Sequence, residues 1–330
     1  MIDHPGKLDV SVREEFGTTT PLDAGELAKD SCAEWVPAAL RRFEHEPVAL
    51  GAGTRGKLGK LDLTFGGTGT ETRLLRAQAR VPFAVPWVLR ADPHWHKLAA
   101  VYLAMPTGGI VQGDRLDLQI CAEPGSVVHV TTQSATKVYA MERNFATQRL
   151  VLRVEENAYV EYWPDPLIPG RCTRYGQRAE LLVAPTATLV YRDVLTAGRV
   201  ARGERFVYDV LVSETVASNQ CGGVLFEDVL RIEPGHSWFD PSAQFGGRDV
   251  LGSLYVLGGG YAVPELAAVL EPLVRSASGV YGGVSALPAG AGIVCRLLSY
   301  GTAPVLQTLE AARTRIRHHL GLPDATPFRK

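Results

Sequence analysis

Residues 106–139 read PTGGIVQGD, then RLDLQICAEPGSVVHV, then TTQSATKVY. The first nine residues contain Gly108, Gly109 and Gly113 and end in Asp114. Glycine is used where φ is positive or where the backbone must approach another group closely. The run therefore predicts a tight loop that leads directly into the segment that follows.

That following segment alternates apolar and polar residues. Leu116, Leu118 and Ile120 are separated by single polar residues, which is the period-two pattern of a half-buried strand. Counting back by twos places Asp114 on the same apolar face, so its carboxylate is predicted to point inward. Pro124-Gly125 then predicts a turn, and a second strand follows it toward residue 130.

A unit of strand, short turn and strand recurs along the chain. Its turns are predicted at Pro124-Gly125, Glu156-Asn157 and Pro185-Thr186, which are 32 and then 29 residues apart. The strands that flank the later turns are 150–154 with 159–163, and 180–183 with 188–195. A period of this length indicates stacked β units, although serial hairpins in a sandwich would give a similar pattern.

The amino-terminal part differs from this β-rich middle. Residues 1–54 are expected to be a partly ordered extension, because chain ends are ordered only where they are tied down. They show weak helical character over 18–30 and 34–42, interrupted by prolines. The body is assigned to 55–330, and the strand pattern begins close to residue 60.

The carboxyl-terminal part returns to helical spacing. Apolar residues predict helices over 264–277 and 304–320, with a hairpin from 282–285 and 292–298 between them. Basic residues near the end of the second helix suit the negative end of the helix dipole; they are Arg313, Arg315, Arg317, His318 and His319. The predicted fold is mainly β, with a β-helix-like or stacked-hairpin body and two carboxyl-terminal helices.

Composition excludes several classes of protein. The 330 residues carry a formal charge of −1, so a broad nucleic-acid-binding surface is not expected. No apolar run has the length of a membrane span, and the first ten residues lack the apolar core of a signal peptide. Five cysteines at long spacings form neither a disulfide framework nor a zinc motif. A cytoplasmic protein is the expectation.

The sequence contains no recognisable catalytic motif, but it places carboxylates on apolar strand faces. G-x-S-x-G, Walker A and H-E-x-x-H are absent. Asp114, Asp193 and Glu204 share parity with apolar neighbours. A buried carboxylate is costly unless it is paired or hydrated, so these groups form ion pairs, for example with Arg199 or Arg202, or line a polar internal passage.

Two other groups have a chemical and a structural interpretation. Glu161 and Asp165 flank Trp163-Pro164 and could form a glycosidase-like acid and base pair, but a proline-rich strand end is the simpler and favoured interpretation. His94 and His96 could hold a metal, but no third ligand is nearby in the sequence, which favours a surface loop.

Five ordered motifs resemble the urease accessory protein family UreD, also called UreH. The central one joins Pro106–Asp114 to Thr131–Tyr139, and its structural positions include Gly108, Gly109 and Gly113. The others are Gly56-x-Leu58-x-x-Leu61-x-Leu63-x-Phe65, Glu161-Tyr-Trp-Pro164, Gly198-Arg199-x-x-x-Gly203-Glu204-x-Phe206, and a last segment from Arg296 into a helix. The resemblance covers about residues 55–328 and leaves residues 1–50 without a counterpart.

This resemblance implies a role without catalysis. Proteins of the family bind urease apoprotein and UreF, and UreF engages UreG, which carries nickel; a dimeric UreD–UreF assembly is one arrangement it implies. It also implies a mostly β fold, coiled like a helix, and an internal tunnel that passes Ni²⁺ toward the urease active site. A transient nickel ion is expected rather than a tightly bound cofactor, and no metal ligand is firmly assigned.

The resemblance also assigns residues to that path. The positions that match are Asp114, Thr136, Lys137, Asp193, Glu204 and Glu227. Glu227 lies opposite the apolar parity of its strand and is supported by the resemblance alone. Two departures are Met105, where the family often has His, and Trp163-Pro164-Asp165-Pro166, where Leu-Pro-Gln-Asp/Glu is more usual. The first removes a metal ligand and the second alters local shape.

Overall fold

The computed structural model describes residues 35–44 and 56–326. Its helices are α1 (Ala38–Arg41), α2 (Pro241–Phe245), α3 (Val263–Ser276) and α4 (Thr302–His319). Its strands are β1 (Leu58–Thr68), β2 (Glu71–Arg80), β3 (Val88–Leu89), β4 (Ala99–Leu103), β5 (Arg115–Ala122), β6 (Val127–Thr132), β7 (Thr136–Val138), β8 (Ala146–Val154), β9 (Tyr159–Trp163), β10 (Leu167–Pro169), β11 (Arg174–Val183), β12 (Thr188–Thr196), β13 (Val210–Ser218), β14 (Val224–Ile232), β15 (Val250–Gly258), β16 (Val280–Ala286) and β17 (Gly292–Ser299).

The strands form two sheets that face each other. The seven-stranded sheet has the order β14-β13-β11-β8-β5-β1-β2. The ten-stranded sheet has the order β16-β17-β15-β12-β9-β6-β4-β3, and the short strands β7 and β10 pair beside it. In the middle of both sheets, neighbouring strands run parallel.

Each predicted turn links a strand of one sheet to a strand of the other. The turn at Pro124-Gly125 leads from β5 to β6, the turn at Glu156-Asn157 from β8 to β9, and the turn at Pro185-Thr186 from β11 to β12. The chain therefore coils as a β-helix, and its period of about thirty residues is one coil. The β-helix-like prediction is confirmed, and the serial-hairpin alternative is wrong because strands joined by these turns do not pair with each other.

Side chains repeat in register from coil to coil, which explains why the coils stack. In the seven-stranded sheet Leu63, Ile120, Leu152 and Leu181 align and are each at most 2% exposed. In the ten-stranded sheet the inner positions form an aromatic ladder; its members are Tyr162, Tyr191 and Tyr255. Inward-pointing residues of both sheets thus meet in one core, as expected when sheets pack face to face.

Helices α3 and α4 cover the outer face of the ten-stranded sheet with a second core. Val190 and Leu254 of the sheet are buried with Leu309 of α4 in this core. Both helices lie within two residues of their predicted bounds, and the predicted hairpin is confirmed as the antiparallel pair β16 and β17. Among the described residues, no helix is long and apolar enough to cross a membrane.

Residues 35–44 lie on the outer face of the seven-stranded sheet. Leu40 of α1 is fully buried in a small cluster with Phe145 and Val210, and Arg42 donates to Glu233 at 2.6 Å. This segment is thus part of the packed body. The helical character predicted over 18–30 lies outside the described residues.

Candidate functional site: a polar cavity along the β-helix axis

The glycine loop pairs with the strand that the same motif contains. Ile110 bridges Val138 of β7, and its amide donates to the carbonyl oxygen of Lys137 at 2.8 Å. A Cβ on Gly109 would lie 2.6 Å from that carbonyl oxygen, so only glycine permits this approach. The loop and the 131–139 segment therefore form one surface feature, as their joint motif suggested.

Asp114 is buried, but its carboxylate is occupied by the loop itself. It is 1% exposed. One oxygen accepts from the amide of Lys57 and the other from the amide of Val111, each at 2.9 Å. Burial raises the pKa of Asp114, and these two amides oppose that rise. The inward parity was correct, and the carboxylate joins the loop to the start of β1.

A cavity of about 100 Å³ runs between the two sheets along the β-helix axis. Leu118, Leu150 and Ala179 contribute to its wall from three successive coils of the seven-stranded sheet, and Tyr162 and Tyr191 line it from the ten-stranded sheet. The cavity therefore follows the stacking direction of the coils.

One end of this cavity reaches the surface beside the glycine loop. Gly108, Ser134 and Lys137 are exposed and belong to its lining, as does half-buried Thr136. Two of the positions assigned by the motif, Thr136 and Lys137, are thus brought together at this opening, which we call the cavity mouth.

Asp193 lies at the inner end of the cavity, on β12. Its Oδ2 accepts from Gln177 Nε2 at 3.1 Å and from Ser213 Oγ at 3.2 Å. Among the described residues, no Lys or Arg nitrogen lies within 4.0 Å of its carboxylate. Burial raises the pKa of Asp193, and the hydrogen bonds from Gln177 and Ser213 oppose that rise. A carboxylate held by neutral donors keeps its attraction for cations.

A smaller cavity of about 20 Å³ continues from Asp193 toward the opposite end of the β-helix. Its lining includes Ser213, Ser253 and Tyr255, and it ends at Asp228 and Arg296. Asp228 accepts hydrogen bonds from the Tyr255 hydroxyl and from the Arg296 guanidinium. Asp193 is shared by both cavities, so polar groups continue along the axis past the middle of the molecule.

The other assigned carboxylates lie outside these cavities. Glu204 precedes β13, which begins at Val210, so the strand parity assumed for Glu204 does not apply to it. It forms two hydrogen bonds with Arg199, both at 2.7 Å, in the loop that contains Gly198 and Gly203. Glu227 is exposed on β14, as its parity indicated.

Comparison with known proteins identifies the family to which the chain is related. The model of the UreD urease accessory protein family matches residues 57–330. The chain belongs to the UreD family. It is 37% identical to the urease accessory protein UreD of Cenarchaeum symbiosum over 79% of this chain and 92% of that protein.

Two further relatives match at similar identity. A protein of Streptomyces griseus named urease accessory protein UreD 2 is 37% identical over 86% of this chain and 97% of its own length. One of Brucella canis with the same name is 35% identical over 84% of this chain and 94% of its own length. These names describe accessory proteins, in agreement with the expectation that the chain is not an enzyme.

Glu161, a carboxylate of another of the motifs that resemble the UreD family, is fully buried on the opposite face of the ten-stranded sheet. It accepts from His129 Nδ1 at 2.7 Å, from the Tyr159 hydroxyl at 2.8 Å, and from Arg313 and Arg317 at 2.6–3.0 Å. Burial alone would raise the pKa of Glu161, but Arg313 and Arg317 hold it well below its usual range.

His129 is neutral in this cluster. Burial lowers the pKa of His129. Glu161 favours a second proton on the His129 ring, but the positive charges of Arg313 and Arg317 oppose that effect. Because the carboxylate only accepts, His129 donates from Nδ1. Arg317 also binds buried Asp92 at 2.9 Å, so the cluster joins α4 to the loop before β4.

The two buried arginines are the residues that the sequence interpretation missed. Their assignment to the helix dipole is wrong, because Arg313 and Arg317 are at most 1% exposed and bind Glu161. A signal existed in the helical spacing, since Arg313 follows Leu309 by four positions on the apolar side of α4.

The glycosidase-like alternative is contradicted by this geometry. Glu161 has no exposed surface and its oxygens are fully occupied, so it cannot protonate a substrate. Asp165 lies in the loop after β9, lines the axial cavity and is 3.7 Å from Arg192. The two carboxylates therefore share no cleft in which a sugar could bind.

A preformed metal site is not found in the part of the chain that the structure describes. There, no three His, Cys, Asp or Glu side chains converge on one point. His94 and His96 are exposed, as the surface-loop interpretation expected. Asp193, with its neutral partners, is thus the group of the axial cavity best suited to attract a cation.

Proposed function

We propose that this chain is a urease maturation factor that binds urease apoprotein and UreF, engages UreG through UreF, and passes Ni²⁺ along its axial cavity toward the urease active site. Membership of the UreD urease accessory protein family supports the maturation role. The single observation that supports the path is Asp193, whose carboxylate faces an axial cavity and receives only neutral side-chain donors at hydrogen-bond distance among the described residues.

The chemistry of the cavity suits an ion in transit. Besides the cations of Lys137 and Arg178, its polar lining consists of carboxylate, hydroxyl and amide groups, whose oxygens bind Ni²⁺ more weakly than imidazole or thiolate. An ion that must enter and leave requires several weak stations rather than one strong one. Asp165 and Thr136 near the mouth and Asp193 inside provide such a series. The nickel ion is cargo, and the chain supplies the oxygen ligands along the route.

Substitution of Asp193 tests the path. Asp193→Leu removes the charge and fills part of the cavity, so we expect nickel content and urea hydrolysis of the attached urease to fall severalfold. Asp193→Asn keeps the volume and should give a smaller loss. The measurement is nickel per urease active site after activation of the purified complex, together with the amount of complex formed.

Two controls separate transport from folding and docking. Glu227→Leu changes an exposed carboxylate away from the cavity and should leave nickel loading unchanged. Overpacking costs about 1–3 kcal/mol of stability, so the melting temperature of each variant is recorded. Normal nickel loading by a well-folded Asp193→Leu complex would refute the path and leave the scaffold role.

A further inference from the structure

A row of polar side chains leads from the inner end of the axial cavity toward the far end of the β-helix. Asp193 of β12 is the register partner of Ser253 of β15, and Ser253 is in turn the partner of Arg296 of β17. All three residues line the smaller cavity. Neighbouring strands are about 4.8 Å apart, so the backbone of Arg296 lies roughly 10 Å from that of Asp193. The row thus continues the axial route beyond Asp193 and ends in a positive charge.

The seven-stranded sheet supplies the partner of that charge. Asp228 of β14 is the register partner of Thr215 of β13, and both line the smaller cavity from this sheet. Asp228 Oδ2 accepts from the Arg296 guanidinium and from the Tyr255 hydroxyl. The pair of Arg296 and Asp228 therefore bridges the two sheets across the end of the smaller cavity.

Exposure shows where this pair meets the solvent. The four residues that carry hydroxyl groups in the smaller cavity are each at most 8% exposed; they are Ser213, Thr215, Ser253 and Tyr255. By contrast, the side chains of Arg296 and Asp228 are 42% and 24% exposed. Solvent can replace the contacts of a pair this exposed when the arginine leaves it. The closed arrangement is therefore favoured without being locked.

We propose that Arg296 is a gate at the far end of the axial route, closed while its guanidinium binds Asp228 and open when its side chain turns outward. The inference rests on the proposed function, since it concerns the exit of the same route. In the closed position the guanidinium obstructs the end of the cavity and repels a cation that has passed Asp193. It also neutralises Asp228, which with Asp193 would otherwise form a pair of carboxylates that retains Ni²⁺.

The experiment measures access to the smaller cavity in the full chain, with neither nickel nor a partner protein present. Ser253→Cys places a thiol beside Arg296, and its modification by methyl methanethiosulfonate, a small neutral reagent, is followed by mass spectrometry of the peptide that contains position 253. Arg296→Met in this background should raise the modification rate about threefold to tenfold, because a part-buried charged pair favours the closed form by roughly that factor.

Two further measurements separate a gate from a change in the thiol itself. Loss of the guanidinium lowers the thiolate fraction at position 253, which slows the reaction, so a faster reaction reports access. The cationic reagent 2-aminoethyl methanethiosulfonate should gain more than the neutral one, since Arg296→Met removes a positive charge as well as an obstruction. With Arg296 in place, high salt should speed the neutral reagent by screening the pair, and with Arg296→Met it should not.

The chain contains its own control for loosening of the fold. Cys295 precedes Arg296 on β17, is 1% exposed and belongs to the core beneath α3 and α4. Its modification should stay slow in every variant. Arg275→Met is the matched charge control, because it breaks the exposed pair with Glu271 on α3 and touches neither cavity. It should leave the rate at position 253 unchanged.

Two results would overturn the gate. One is an unchanged rate at position 253 in Arg296→Met together with no effect of salt on the chain that retains Arg296. The other is a rise at position 253 that Cys295 matches. Reagent access involves no nickel, so the gate and the path are tested apart: shielding by Arg296 with normal nickel loading by Asp193→Leu refutes the path, whereas blocked loading without shielding refutes the gate.

Discussion

Glu161 and Asp193 lie on neighbouring strands of the ten-stranded sheet and face opposite sides of it. Glu161 points toward α4 and receives two guanidinium groups, an imidazole and a hydroxyl. Asp193 points into the β-helix and receives one amide and one hydroxyl. The first carboxylate is neutralised by adjacent guanidinium groups, whereas the second is hydrogen-bonded by neutral groups and feels the charge of Arg296 from a greater distance.

The difference shows that one sheet can hold a fully paired carboxylate on one face and a carboxylate with neutral donors on the other. A fully paired carboxylate fixes the elements that supply its partners, because removing any partner leaves a buried charge. A buried carboxylate that has only neutral donors is less stable in its charged form, and under the proposed function a passing cation would relieve that cost. The two groups lie on paired strands of one sheet but on opposite faces, so each substitution below perturbs one face and leaves the other as its reference.

The largest effect is expected on the Glu161 side. Arg317→Met should lower the free energy of unfolding by about 3–5 kcal/mol, since it removes the guanidinium that binds buried Asp92 and one of the two that neutralise Glu161. Arg275→Met is the control, because Arg275 is 75% exposed in its pair with Glu271 and should cost about 0.5 kcal/mol or less. Chemical denaturation measures both. Equal losses would contradict the structural role of the cluster.

Substitution of Asp193 is expected to have a smaller effect of opposite sign, an increase in stability at neutral pH. Burial raises the folded-state pKa of Asp193, so the folded chain keeps this proton to a higher pH than the unfolded chain does. The ionised group therefore destabilises the fold above the raised pKa, and the penalty disappears below the unfolded value of about 3.9. Asp193→Asn should raise the melting temperature at pH 7 and give no advantage at about pH 3.

The same shift predicts the pH dependence of nickel loading. Protonated Asp193 no longer attracts a cation, so loading should fall as the pH drops through the raised pKa, before ordinary aspartates titrate. Asp193→Asn should lack this decline because it has no proton to gain. Nickel per urease is measured against pH for the wild-type protein and for Asp193→Asn. Identical profiles would show that Asp193 is not part of the path.

The smallest change in stability is expected on substitution of Glu204. Unlike Glu161 it does not belong to the buried arginine cluster, and unlike Asp193 it does not line the cavity. Its pair with Arg199 lies at the surface, where the side chains are 12% and 34% exposed. Glu204→Gln should therefore lower stability by less than about 1 kcal/mol and leave nickel loading intact. A loss of loading as large as that of Asp193→Leu would place a second station in this loop.

The sequence was most informative where strands are regular. The turns 32 and 29 residues apart marked the coils, and the parity of Asp193 with Tyr191 was correct because β12 extends through both residues. Parity failed for Glu204 because the chain between residues 204 and 209 forms no strand. Coils and hairpins could not be distinguished, since both give the same alternation along the chain and differ only in which strands pair.

The buried cluster of Glu161 with Arg313 and Arg317 was missed because its members are far apart in the sequence. Glu161 is 152 residues from Arg313 and 156 from Arg317, so no local pattern connects them. Helical spacing could have placed Arg313 and Arg317 on the apolar side of α4, although the sequence interpretation assigned them to the helix dipole. It did not identify the carboxylate that neutralises them, which requires knowledge of the sheet on which the helix packs.

The parallel stacking of the coils gives the molecule a fixed length. Strands β1, β5, β8, β11 and β13 stand side by side in one sheet, and neighbouring strands are about 4.8 Å apart, so they span roughly 19 Å. Backbone hydrogen bonds between every pair resist compression along this direction. Under the proposed function, proteins bound at its two ends would therefore be held at a constant separation, and a nickel ion could cross that distance while neither of them moves.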